Sequence, residues 1–192
     1  MTSQEMNKPD YKKAKETATK ILSDHGYLEP PVNPIDICTA LGIKISFKDF
    51  GGDPEVLAAY FGVQFEDENS IYVNTTHSIQ AQFFAIAYQL GHRLMHKSWT
   101  ESDNYRSMGP EELEIPYKCW RSQEAHCFAN NLLVPKFMLD KHRHVASIDE
   151  LAKLFMVSRT RIRIMLYEHS FSFRSKIKSL LHNIVDHIKS FC

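Results

Sequence analysis

The chain has 192 residues, 43% of them hydrophobic, and 23 basic side chains balance 23 acidic ones. That length can enclose a sizeable core without disulfide support, no apolar run is long enough to cross a bilayer, and the neutral balance excludes a global pull toward nucleic acid or anionic membrane. Four cysteines, Cys38, Cys119, Cys127 and Cys192, form no C-x-x-C pair, and the stretch from Met1 to Lys20 is polar. This pattern argues against a thiolate zinc site or a secretory leader and predicts reduced thiols in a cytoplasmic protein without a membrane partner.

In chain order, Ala14, Ala18, Ile21 and Leu22 recur at helical spacing over residues 10 to 25, with Gly26 as a stop. Asn33 followed by Pro34 is a cap and a first-turn proline, opening a short helix that ends at Gly42. Three apolar stretches of strand character follow, Ile43 to Phe47, Leu57 to Phe65 and Ile71 to Val73. A long helix is predicted from Ser78 to Lys97, its inner face written by Phe83, Ile86, Ala87, Leu90 and Leu94. Residues Ser98 to Pro116 read as an exposed loop that could rim or cover a cleft, and a second helix, Trp120 to Leu133, stops before Pro135.

Within the long helix, Tyr88-Gln-Leu-Gly-His92 stands where a zinc peptidase carries His-Glu-x-x-His. Residues four apart on a helix are offset by only about 40°, so Tyr88, His92 and His96 share one row with Gln89 beside it. In the intact motif two histidines hold zinc and the glutamate takes a proton from the attacking water. Tyrosine is a poor zinc ligand at neutral pH, and glutamine, at the general-base position, cannot take that proton. Across the second helix His126 is turned roughly 200° from Glu124, so the two cannot serve one site.

Four stretches together carry a resemblance. Ala81 to His96 is similar to the active-site helix of the ImmA/IrrE family of small zinc peptidases. Pro30 to Ile43 resembles that family's proline-rich entry segment, Ile71-Tyr-Val-Asn74 its central strand, and Glu124 to Pro135 its second active-site helix. The resemblance implies an α+β, zincin-like fold, helical with a small three-stranded sheet, over residues 8–140. By the same resemblance His92 and Glu124 fall on two of three zinc ligands, Tyr88 on the lost one, and Gln89 on the general base. His96 is the substitute ligand that would complete a displaced site with His92 and Glu124. The competing expectation is a metal-free pocket in which Glu124 and His92 pair directly while Tyr88 fills the zinc position, so zinc is expected to be weakly held or absent.

After this domain, residues 145–170 have the pattern of a helix-turn-helix, with inner positions Leu151, Ala152, Phe155, Val157, Ile162 and Leu166 and a cap at Ser158. Arg159, Arg161 and Arg163 cluster where a recognition helix would meet DNA. Residues 172–192 form an amphipathic helix with Ile177, Leu180, Leu181, Ile184, Val185 and Ile188 on one stripe, suited to its own domain, a partner or a second copy. Lys141-His-Arg-His144 is expected to be a solvated surface. Members of the resembling family typically cut a helix-turn-helix repressor or accompany such regulators in toxin and antitoxin pairs. The first reading is therefore a pseudoenzyme: a catalytically impaired relative that binds a regulatory protein of repressor or antitoxin type. The alternatives are an active zinc endopeptidase, or a silenced form of one, and a DNA-binding regulator.

Overall fold

Asp10 starts the first helix by accepting the Lys13 N–H on its side chain at 2.9 Å, and α1 runs Tyr11–Asp24. The structure is a computed structural model that describes residues 8–50, 59–61, 69–100 and 119–169. Ala14, Ala18, Ile21 and Leu22 are the buried face of α1, as their spacing implies, and α1 ends where Gly26 takes a left-handed φ of 71°. That conformation costs a glycine nothing, and it lets the Tyr27 N–H close on the Leu22 carbonyl at 2.9 Å. Asn33 caps α2 (Pro34–Ala40) by accepting from the Ile35 N–H, with Pro34 in the first turn where its missing donor costs no bond.

The sheet is small. Strand β3 (Ser70–Asn74) is buried along its whole length and lies centrally in the order β1-β3-β2. β1 (Lys44–Lys48) runs parallel to it, pairing Ile45 with Ile71 and Phe47 with Val73, and β2 (Ala59–Phe61) runs antiparallel, pairing Tyr60 with Tyr72. Because β1 is an edge, its residues are exposed or half-buried, whereas Ile71 and Val73 of β3 are wholly enclosed.

Helix α3 (Ile79–Met95) begins at Ser78, whose side chain accepts from the Ala81 N–H, and it buries Phe83, Ile86, Ala87 and Leu90, while Leu94 is half-buried. The sequence predicts helix through Lys97, but α3 stops at Met95 and a single turn, α4 (Lys97–Thr100), follows. His96 is the break, with φ −127° and ψ 35°, so the third member of the histidine row stands outside the helix that carries the other two. Ser98, Trp99 and Thr100 are correspondingly helical rather than loop; the rest of the expected covering segment lies outside the described residues.

Helix α5 (Trp120–Leu133) packs on both α3 and α1 and supplies Phe128, Ala129, Leu132 and Leu133 to the core. It packs tightly on α3 at Gly91, where an added Cβ would come within 2.8 Å of the Phe128 ring and 3.3 Å of the Ala125 Cα. Glycine at position 91 is thus a packing requirement, and it sets the spacing of the helices that bear the candidate site. Helix α6 (Lys136–His142) follows Pro135, and α7 (Ile148–Leu154) starts at a reciprocal capping box between Ser147 and Glu150.

A tight turn through Met156, at φ 53°, leads into α8, residues 159–169 of the described chain. Leu151, Ala152, Phe155, Val157 and Ile162 are buried there, as their pattern implies. His142 and Arg143 are half-buried rather than solvated, because His142 packs edge-on against Phe155. The amphipathic stripe of residues 172–192 lies outside the described residues. Among the described residues no helix is long and apolar enough to cross a membrane. The whole is a mostly helical α+β unit with a small sheet.

Candidate functional site

The α3 row meets α5 in one buried chain of polar contacts. His92, His96 and Glu124 are each at most 5% exposed, so every polar atom they bring inside needs a partner. His96 Nε2 lies 2.8 Å from Glu124 Oε2, and His96 Nδ1 lies 3.2 Å from His92 Nδ1. A carboxylate accepts, so His96 donates from Nε2 and its Nδ1 is left with a lone pair; His92 then donates from Nδ1 and keeps its own lone pair on Nε2. The second carboxylate oxygen, Oε1, accepts the backbone N–H of Asp10 at 2.7 Å.

Burial, with the charges of His96 and Arg121 adding to it, pushes the His92 imidazole down to about 3. Burial also lowers His96, against the opposing pull of its bond to Glu124. Both rings are therefore neutral at pH 7, and the contact between His96 and Glu124 is a hydrogen bond to a carboxylate rather than an ion pair.

Aromatic rings surround the pair. Tyr88 stands edge-on to His92 with ring centroids 4.7 Å apart and stacks on Phe84 at 6.3 Å. Trp99 lies 5.2 Å from His92, Trp120 meets His96 edge-on at 5.5 Å, and the Arg121 guanidinium sits over Trp120 at 4.4 Å and Trp99 at 5.4 Å. Gln89, at the general-base position, is 5% exposed.

This arrangement corrects one expectation: Glu124 pairs with His96, not with His92. The reason is geometric, since the break at His96 swings that side chain between the other two. The structure does bring His92, His96 and Glu124 together, but they lie in line. Glu124 and His92 contact different ring nitrogens of His96, Nε2 and Nδ1. Each carboxylate oxygen also accepts one donor, His96 at Oε2 and Asp10 at Oε1. These side chains, as placed, do not fit a three-ligand zinc site, and among the described residues no three histidine, cysteine or acidic groups converge on one point.

Trp99, Trp120 and Arg121 were not singled out in the sequence, although a signal was available: the chain's two tryptophans flank the expected loop at either end. His126 faces away from Glu124, as its spacing requires. It packs edge-on to Phe84 at 5.2 Å and accepts at Nε2 from Arg161 at 3.1 Å.

Arg161 is accordingly half-buried. Its guanidinium lies 3.6 Å from the Phe84 ring centroid and donates to Asn130 Oδ1 at 2.7 Å. Burial, reinforced by that positive charge, pushes His126 down to about 4. Arg159 is paired with Asp149 at 2.6 Å, and Arg163 is exposed. Arg161 is thus turned away from Arg159 and Arg163, which are four apart on α8 and share a face.

Residues 38–167 match the peptidase M78 family, described as the IrrE N-terminal-like domain. No curated protein matches the sequence. Among solved structures, a Mycobacterium tuberculosis transcriptional regulator is similar with a TM-score of 0.55 at 17% identity, covering 79% of this chain. This chain spans 45% of that regulator's length, and at such low identity the likeness is one of fold. With two thirds of its residues inside the family match, and with the helix pair that carries the motif in place, the chain belongs to the IrrE N-terminal-like family.

Proposed function

We propose that the chain is a regulatory, catalytically impaired member of this family that uses its former substrate cleft to bind a regulatory protein of the repressor or antitoxin type, in the cytoplasm. The observation that carries this reading is the state of the machinery on α3 and α5. A buried glutamine stands at the general-base position, a tyrosine at the first-ligand position, and the third-ligand carboxylate is engaged by His96 and by Asp10. Glutamine has no proton affinity to offer at neutral pH, so water activation fails even if a cation is present. The fold likeness to a transcriptional regulator is in keeping with a regulatory role.

The test is metal analysis and proteolysis on purified full chain. Wild type is expected to hold less than one zinc per chain and to leave a bound helix-turn-helix regulator uncut. The double substitution Tyr88→His, Gln89→Glu is expected to raise zinc affinity on the order of 100-fold by restoring a charged, ligand-bearing motif. Chelator-sensitive cleavage by wild type would favour the second reading, an active zinc endopeptidase with unusual ligands.

The third reading, a DNA-binding regulator with a helix-turn-helix over residues 145–170, loses support from the arginines. Arg161→Ala is expected to lower stability by about 1–3 kcal/mol, because it strips the stacking from Phe84 and the donors from Asn130 and His126. Arg163→Ala is expected to be neutral within about 0.5 kcal/mol. Urea titration of both variants checks this. A recognition-helix role would instead leave R161A as stable as wild type and weaken DNA binding with a steep salt dependence.

A further inference from the structure

We infer that Glu124 fastens the start of α1 to the α3 and α5 pair, so that the chain His92, His96, Glu124, Asp10 N–H is an internal hydrogen-bonded cross-link standing where the family resemblance locates a metal. This deepens the reading above and rests on its premise that the site does not work as a zinc centre.

Asp10 is the N-cap of α1, a position whose own backbone N–H lies before the first helical bond and normally faces water. Here that N–H reaches a buried carboxylate 114 residues further along the chain, at 2.7 Å. One residue therefore starts the helix with its side chain, on the Lys13 N–H, and docks it with its backbone, on Glu124. The carboxylate also stands at the positive end of the α1 dipole, where negative charge is favoured.

Two neighbouring contacts hold the same junction: the Tyr11 hydroxyl donates to Gln123 Oε1 at 2.7 Å, and the Cys127 thiol reaches the Tyr11 carbonyl at 3.8 Å. Ala14 and Ala18, both 0% exposed, let the rest of α1 lie close.

Each carboxylate oxygen accepts one hydrogen bond and keeps a second lone pair, and the two oxygens of this one side chain tie separate elements, His96 at the end of α3 and Asp10 at the start of α1.

Amide hydrogen exchange by NMR on the full chain, with EDTA and then with zinc chloride, tests the cross-link. In wild type the Asp10 amide is expected to exchange roughly tenfold or more slower than those of Tyr11 and Lys12, the factor that a bond to a charged acceptor confers. Its rate is expected to be the same with chelator or zinc. Glu124→Leu, which keeps volume and removes the acceptor, is expected to bring Asp10 to the rate of its neighbours. Should that variant not fold, the wild-type comparison still decides.

An Asp10 amide as fast as Tyr11 and Lys12 in wild type, or one released by EDTA, overturns the inference. These outcomes separate from those of the functional reading: a chain that forms no complex with any regulator leaves the exchange rates untouched, and a fast Asp10 amide leaves partner binding standing.

Discussion

Phe128→Ala is expected to lower the unfolding free energy by about 3–5 kcal/mol, the largest loss from any single truncation in the α3–α5 seam. Phe128 is 0% exposed, and its ring is what α3 meets at Gly91. Truncation removes the transfer energy of the ring and leaves a cavity that two helices packed through the buried Leu90, Ala125 and Ala129 cannot close. The complementary change, Gly91→Ala, gains about 1 kcal/mol of helix propensity. That gain is outweighed by crowding, since a Cβ 2.8 Å from Cδ1 of a buried ring forces the helices apart; the net loss is about 1–2 kcal/mol. In the Phe128→Ala background the same alanine should cost less, with only the 3.3 Å approach to the Ala125 Cα remaining. A double-mutant cycle measured by urea denaturation therefore gives a coupling energy of opposite sign to the single losses, and additive losses would contradict the contact.

The second large effect is on acid stability. Burial pushes His126 down to about 4 and also pushes His169 down to about 4, in the latter case with Lys136 adding to the shift. Both imidazoles titrate near 6.5 in the unfolded chain. Between these values the unfolded state binds more protons than the folded one, so stability rises with pH across the window. It is fully present above about 6.5 and is lost as pH falls toward 4, by up to about 3 kcal/mol for each group.

Urea midpoints at pH 7, 5.5 and 4.5 should fall in that order. His169→Gln should flatten part of the slope. A midpoint that is level between pH 7 and 4.5 would show that these rings take up protons freely in the folded protein.

Much of this architecture was readable from local pattern. Ala14, Ala18, Ile21 and Leu22 mark the inner face of α1, Asn33 and Pro34 mark the start of α2, and Phe83, Ile86, Ala87 and Leu90 mark the core side of α3, because periodicity and capping are properties of a few adjacent residues. The pairing of Tyr88 with His92 was readable for the same reason. The break at His96 was not, since nothing in Leu94-Met-His96 disfavours helix; long-range partners on α5 coincide with it. Likewise, the family resemblance singles out Glu124 as a candidate ligand but cannot reveal that its second oxygen accepts from the Asp10 amide at the far end of the chain.

The contacts of Arg161 were not readable, because a charged residue near a helix start is most often solvated. Its place over Phe84 follows from how α8 is set against α3, which no local pattern encodes.

The two tryptophans give the protein an optical reporter of its own site. Trp99 and Trp120 are the whole indole complement of the chain, and each lies against one of the paired histidines while Arg121 bridges both. Emission from this protein consequently originates beside His92 and His96, so whatever docks there, a polypeptide or an ion, will register as a spectral shift without any attached dye.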